Sequence, residues 1–327
     1  MIEVNSLFKT FKVKQKEPGL YGSLYSLFRP KYQEKEAVSS LSFTIEQGEM
    51  VAFLGPNGAG KSTTIKMLTG ILHPSGGEAR VLGYIPWRER KQLSYRIGTV
   101  FGQKSQLWYH LPPSDTFELM ARIYELKRGD YLQRRKKLIE RFEIEPYLHT
   151  PVRKLSLGER MRCEIIAALL HRPEIIFLDE PTIGLDVVVK VKIREMIKEL
   201  NREEGVSVFL TSHDAGDVED LCKRAIVINH GRIILDQAVR DMKRNYLRYK
   251  VINVKLGKMP NTLSMAGLKI LKQKERGLKL EIDTKMASIE EVLQSLIAEN
   301  TVEDITIEDP SMEQVISYIY AGAGVSG

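Results

Sequence analysis

Residues 55 to 63 read GPNGAGKST, and no other stretch restricts the fold as much. Gly55, Gly60, Lys61 and Ser62 meet the template G-x-x-x-x-G-K-[ST]. The loop follows the apolar run Met50-Val51-Ala52-Phe53-Leu54, which reads as a buried strand. It precedes a helix start from Thr63 onward. This strand–loop–helix setting is what a phosphate-cradling loop requires. Glycines allow the sharp turn that lets successive N–H groups of the loop, which also contains Pro56, Asn57, Gly58 and Ala59, converge on a polyphosphate. The helix N-terminus adds partial positive charge. Lys61 is placed to reach the β and γ phosphates, and Ser62 a Mg²⁺ ion.

The remaining composition bounds the setting. With 327 residues, the chain can hold one large domain and a small one. An apolar content of 43% and a charged content of 28% suit a soluble globular protein. No stretch approaches the roughly 20 apolar residues that span a bilayer. Met1-Ile2-Glu3-Val4-Asn5 lacks the features of a signal peptide. Cys163 and Cys222 form no disulfide framework, so reduced thiols and a cytosolic compartment are expected. The net charge of +7 is uneven. Lys9, Lys12, Lys14, Lys16, Arg29, Lys31 and Lys35 crowd one segment against Glu17 and Glu34. Such a segment suits nucleic acid, anionic lipid or an acidic protein surface, or is only a solvated face. Within it, Leu20, Tyr21, Leu24, Tyr25, Leu27 and Phe28 share one helical face, ended by Pro30.

Ile2–Val4 and Leu41–Ile45 read as strands, as do Ile175–Leu178 and Val206–Leu210. Residues 114–150, 158–171, 187–201 and 214–222 read as helical. Ala225–Ile228 and Arg232–Leu235 form a hairpin around Asn229-His230-Gly231. The alternation predicts an α/β sheet with ligands at the carboxyl ends of its strands. Near residue 239 the pattern changes to short strands at 250–256, 268–273 and 277–283. A Ser288/Glu291 capping box then opens a helix, and a strand covers Thr301–Ile307. Pro310 is expected at the first position of a last helix. This predicts a small α+β domain over 239–327.

Further residues carry chemistry. Asp179 and Glu180 end the strand Ile175–Leu178. Asp179 is placed to hold Mg²⁺, and Glu180 to orient or deprotonate water. The same pair also suits plain capping acids at a strand end. Ser156 and Gly158, in LSLGE, open a helix and make either an anion site or an ordinary N-cap. Gln103 ends a strand over 98–102, and His213 follows one over 209–212. Taken singly, these are more often structural.

Together, in this order, these elements resemble the ATP-binding subunit of an ABC transporter over about residues 1–238. GPNGAGKST resembles the Walker A loop, Gln103 the Q-loop, LSLGE the signature, IIFLDE Walker B, Gly184-Leu185-Asp186 the D-loop, and His213 the switch histidine. The wording LFRPKYQEKEAV, VFGQKSQLW and PVRKLSLGERMR is similar to prokaryotic exporter subunits of the viologen or multidrug type. The resemblance implies an α/β P-loop NTPase of ABC type, with a mixed-sheet core, a helical subdomain at about 104–172 and a basic insertion at about 14–36. It implies ATP and Mg²⁺ as cofactors, with Ser62, Gln103 and Asp179 at the metal. It assigns catalysis to Glu180, His213 and Gln103, and adenine stacking to Phe11. Thr63 belongs to the phosphate loop; Ser156, Gly158, Glu159 and Asp186 complete the site. Leu157 and Glu159 depart from the usual LSGGQ, and Val187 stands where the family often has Pro.

The resemblance also implies partners. Ser156 and Gly158 would come from a second copy, giving a homodimer with two ATP sites. Integral-membrane permease subunits, separately encoded, would dock near Gln106–Tyr109, where Trp108 and Tyr109 are typical anchors. The chain is expected at the cytoplasmic membrane face, with membrane contact indirect or through the basic insertion. No nucleic-acid partner is expected. The alternative is a non-transport ABC ATPase acting on DNA or ribosomes. DNA-directed members insert coiled coils or zinc modules between Walker A and the signature, but here only 95 residues separate Lys61 from Ser156. A nucleotide kinase would share the phosphate loop without needing LSLGE, Gln103 and His213 together.

Overall fold

The computed structural model describes residues 1–14, 32–102, 105–212, 214–257 and 265–322. Gln103, His213 and the apolar helical face at Leu20–Phe28 fall outside them. The chain divides into two units, Met1–Gln237 and Ala238–Gly327.

The first unit contains β1 (Ile2–Lys14), β2 (Tyr32–Ile45), β3 (Met50–Leu54), β4 (Gly76–Val81), β5 (Ile97–Phe101), β6 (Ile175–Asp179), β7 (Ser207–Thr211), β8 (Arg224–Asn229) and β9 (Arg232–Ala238). Six of these form a sheet in the order β5-β6-β7-β3-β8-β9. Its neighbours from β5 to β8 pair in parallel. β3 and β7 are buried at every position, so their apolar runs serve both faces of the sheet. β9 returns beside β8 after a two-residue turn. Both turn residues, His230 and Gly231, adopt positive φ, as this kind of hairpin demands.

A second, three-stranded sheet has the order β2-β1-β4. Its β1–β2 pairing continues as far as Lys14 and Tyr32, well beyond the expected strands. Residues 9–13 and 33–36 are mostly exposed, so backbone pairing rather than burial extends these strands, and alternation alone does not reveal it. The core between the sheets is mostly aliphatic around a cluster of phenylalanines. Phe53 lies 5.1 Å from Phe209 and 5.8 Å from Phe43, and Phe177 lies 5.6 Å from Phe209.

The expected helical span at 114–150 is broken. Helices cover Pro113–Ile123 and Arg128–Phe142, followed by a short 3-10 turn at Glu145–Tyr147. Glu125, at φ 52°, makes the break. Two further helices cover Leu157–Leu169 and Val187–Glu204.

The second unit contains β10 (Tyr249–Leu256), β11 (Leu268–Gln273), β12 (Gly277–Asp283) and β13 (Val302–Glu308), antiparallel in the order β11-β12-β10-β13. Ile252, Val254 and Leu256 line one sheet face with Leu278, Leu280 and Ile282. Val292 and Leu296, from the helix Ile289–Glu299, close that core. Ser288 and Glu291 form the capping box. The last helix differs from expectation: it starts at Met312, not at Pro310. The Ser311 N–H donates to Gln314 Oε1 at 2.9 Å, and the Ser311 carbonyl accepts from Val315 N–H at 3.0 Å. Serine therefore ends the helix where proline has no N–H to offer.

Candidate active site

A cavity of about 550 Å³ opens at the carboxyl ends of β3 and β6, beside the paired strands β1 and β2. Phe11, Pro56, Asn57, Gly58, Gly60, Lys61, Ser62, Thr63, Asp179 and Glu180 all line it. The sheet order explains this. β7 lies between β3 and β6, so the ends of all three strands meet at a point where consecutive segments diverge.

The phosphate loop is held by backbone and side chain together. Gly60 sits in the left-handed region at φ 108°, and a Cβ there would lie 2.5 Å from the Ala37 carbonyl oxygen. No side chain caps the helix Lys61–Leu68 that follows, which leaves its first N–H groups toward the cavity. Lys61 is buried, and its Nζ donates to the Gly55 carbonyl at 2.6 Å. Burial pulls its ammonium below its ordinary pKa, while Glu180, 3.8 Å away, and Asp179 act to keep it charged. Gly55 and Ala59 are loop supports. The Ala59 side chain is buried in the core.

The carboxylates are fixed from the neighbouring strand. Thr211 pairs with Asp179 in register, and its hydroxyl donates to Asp179 Oδ1 at 2.6 Å. Ser62 Oγ donates to the same oxygen at 3.3 Å. Glu180 has φ 57°, and its N–H donates to the Thr211 carbonyl at 3.0 Å and hydroxyl at 3.2 Å. That left-handed backbone turns the chain sharply at the end of β6.

Phe11 lies across the cavity from the loop, with Lys9 Nζ 5.3 Å from its ring centroid. Val13, Lys35, Ala37 and Lys66 line the same cavity, and none of them was assigned to the site from sequence. Phe11 and Val13 are two apart on one strand, so a period-2 reading started at Phe11 would have reached Val13, whereas one started at Val4 falls out of phase at the irregularities between Val4 and Thr10. Lys35 needed the register, which sets it opposite Phe11. Thr211 likewise becomes visible only through the β6–β7 pairing.

Ser156, Gly158, Glu159 and Asp186 do not line the cavity. Ser156 caps the helix Leu157–Leu169 in a capping box. Its N–H donates to Glu159 Oε2 at 2.8 Å, and its Oγ accepts from Glu159 N–H at 3.3 Å. A Cβ on Gly158 would lie 2.7 Å from Val189 Cγ1, so close packing alone also calls for glycine there. Asp186 caps the helix Val187–Glu204, accepting from Val189 N–H at 3.0 Å. Trp108 and Tyr109 are exposed, at 53% and 57%. Among the described residues, no helix is long and apolar enough to cross a membrane.

The residues present fit a Mg²⁺-nucleotide. A left-handed glycine opens an uncapped helix, a buried ammonium stands beside it, and a hydroxyl and carboxylate supply the hard oxygen donors that Mg²⁺ prefers. A family model described as ABC transporter matches residues 38–183. The ABC transporter ATP-binding protein NatA of Bacillus subtilis is 35% identical over 215 residues, covering 66% of this chain and 87% of NatA. The chain belongs to the ABC transporter family. The linearmycin resistance ATP-binding protein LnrL of Bacillus subtilis is 31% identical over 292 residues, 87% of this chain and 93% of LnrL. The solved dimeric, post-hydrolysis ATP-binding cassette MJ0796 bound to ADP and Pi aligns with TM-score 0.61 and 25% identity. It covers 73% of this chain and 99% of that one. This ABC protein is thus an ATP-binding, ATP-hydrolysing transporter subunit with the P-loop cassette fold, and the transport reading stands over the DNA- or ribosome-directed one.

Proposed function

We propose that this ABC ATPase powers a membrane exporter by closing as a homodimer on Mg²⁺-ATP and reopening after hydrolysis. The observation that carries the reading is the convergence of Phe11, Lys61, Ser62, Asp179 and Glu180 on one cavity, while Ser156 and Gly158 lie outside its lining. Half a site in each copy favours a shared one. Phe11 offers its ring face to the adenine. Lys61 and the N–H groups after Gly60 neutralise the phosphates. Ser62, Asp179 and Gln103 would hold Mg²⁺, which would draw charge from the phosphate oxygens. Glu180 orients the attacking water and accepts its proton. His213 stabilises charge developing on the γ-phosphate.

The second copy brings Ser156 and Gly158 to that phosphate, and Asp186 couples the two sites. Ser156 Oγ accepts from the Glu159 N–H and can still donate its own hydrogen to the phosphate. The exposed Trp108 and Tyr109 suit docking of a separately encoded permease near Gln106–Tyr109. In this reading the chain works at the cytoplasmic face of a membrane. The linearmycin-resistance relative supports export of a drug-like or antibiotic cargo.

Glu180→Gln tests the reading. Nucleotide binding should persist, hydrolysis should fall by at least about 10²-fold, and an ATP-bound dimer should accumulate on size exclusion. Hydrolysis at the parental rate would remove Glu180 from its role.

A further inference from the structure

Thr182, two residues after Glu180, and Ser212 and Asp214, which flank His213 in sequence, are joined by a buried polar cluster that the hydrolysis scheme does not use. Its centre is Asp217, with no exposed surface. Asp217 Oδ2 accepts from Thr182 Oγ1 and from Ser212 Oγ, each at 2.5 Å. Asp217 Oδ1 accepts from Arg194 Nε at 2.7 Å. The rest of the Arg194 guanidinium donates to Asp214 Oδ1 at 2.8 Å and to Asp220 Oδ2 at 3.1 Å. Lys190 Nζ donates to the other Asp214 oxygen at 2.5 Å. Thr182, Ser212 and Arg194 are themselves buried.

The partners come from three segments. Thr182 stands two residues after Glu180. Ser212 and Asp214 flank His213 in sequence, and the Asp214 N–H donates to Ser212 Oγ at 2.9 Å. Lys190 and Arg194 lie on the helix Val187–Glu204, whose cap is Asp186. Buried ion pairs of this kind add little net stability over an apolar replacement, but they fix geometry tightly. The planar guanidinium holds three carboxylates at set angles, which a flexible ammonium does not.

We propose that Arg194 and Asp217 are positioning residues for hydrolysis. They set Ser212 and Asp214, the neighbours of His213 in sequence, against Thr182 beside Glu180 and tie both to the helix that follows Asp186. The proposal rests on the roles of Glu180 and His213 given above. A shift of a reacting group by about 1 Å costs on the order of 10²-fold in rate, so loosening this cluster should act on the chemical step. Nucleotide affinity, set by Phe11 and the phosphate loop, should change little.

The test uses the full chain with Asp217→Asn and Arg194→Lys, measuring single-turnover hydrolysis and equilibrium binding of Mg²⁺-ATP. Both variants should bind within about 2-fold of the parent and hydrolyse roughly 10- to 100-fold more slowly. Asp217→Glu should recover part of the rate. Thr182→Val and Ser212→Ala, which each remove one hydroxyl and no charge, carry the test if the charge variants do not fold. Each should lower the hydrolysis rate several-fold at unchanged affinity. Parental hydrolysis in folded variants overturns the proposal. So does a rate that falls only in step with affinity or folded fraction. Glu180→Gln runs alongside: if it still hydrolyses, the site reading has failed. If it is dead while the cluster variants are normal, only this inference has.

Discussion

Asp179 shows how much one neighbouring side chain can decide. Its Oδ1 accepts from Thr211 at 2.6 Å and from Ser62 at 3.3 Å. Holding one carboxylate oxygen orients the other, a general requirement around metal ligands. Replacing Thr211 by Val keeps the shape but removes the donor and leaves a part-buried carboxylate less satisfied. Thr211→Val should therefore raise the Mg²⁺ concentration for half-maximal ATPase activity by about 10-fold. The stability loss should be about 1–3 kcal/mol. A Mg²⁺ titration of activity beside a denaturant melt checks both. An unchanged Mg²⁺ dependence would show that Asp179 needs no such support. At this scale the sequence was legible where chemistry is contiguous: Gly60, Lys61 and Ser62 stand in one loop, and Asp179 and Glu180 end one strand. Thr211 was not, because it reaches Asp179 from a strand that starts 32 residues after β6 begins, and only the sheet register brings them together.

Among elements, the attachment of the helix Leu157–Leu169 to the sheet carries a pH signature. His171 follows that helix, and its Nε2 donates to the Ile97 carbonyl on β5 at 2.9 Å. Its ring stacks on Tyr124 at 3.9 Å, nearly parallel. A carbonyl partner fixes the proton on Nε2. A second proton would put a buried N–H on Nδ1, which has no partner among the described residues. Burial accordingly pushes the His171 pKa down to about 4, with Arg134 adding repulsion and the Ile97 carbonyl opposing. The folded pKa lies below the unfolded one, so this stability is present above pH 6.5 and is lost as pH falls toward 4. One proton taken up only by the unfolded chain gives a slope of about 1.4 kcal/mol per pH unit. Denaturant melts at pH 7 and pH 5 should show the parent losing about 2 kcal/mol more than His171→Phe, which lacks the titrating group. Equal losses would mean that the ring is hydrated enough to protonate in place. Element boundaries were legible where side chains cap, as at Ser288 and Glu291. They were misread at the last helix, where Pro310 was expected at the first position and the helix starts at Met312, after Ser311. The β1–β2 pairing escaped because its outer part is held by backbone bonds between exposed residues, which leave no hydrophobic period to read.

At the scale of the whole molecule, the two units have separate cores. Phe53, Phe177 and Phe209 belong to one, and Ile252, Leu280 and Val292 to the other. Every residue lining the nucleotide cavity lies within Met1–Gln237. Ligand binding stabilises only the part that holds the ligand, by RT ln(1 + [L]/Kd), which is about 2.7 kcal/mol at a hundredfold excess over Kd. For a unit of this size each kcal/mol moves the melting temperature by about 2–4 °C. A non-hydrolysable ATP analogue with Mg²⁺ should thus raise the nucleotide-responsive transition by about 5–10 °C. A chain ending at Gln237 should show the same shift, because none of the cavity's contacts are removed. Calorimetry of both chains, with and without the analogue, measures it. A truncated chain that folds but has lost most of the shift would mean that the C-terminal unit contributes to the nucleotide site. A retained shift leaves that unit to act after binding, on the dimer or on the permease. Comparing ATP-dependent dimerisation of the two Glu180→Gln chains then separates those roles. A truncated chain that binds nucleotide but no longer dimerises assigns the C-terminal sheet to holding the copies together, whereas unaltered dimerisation directs it to the membrane partner.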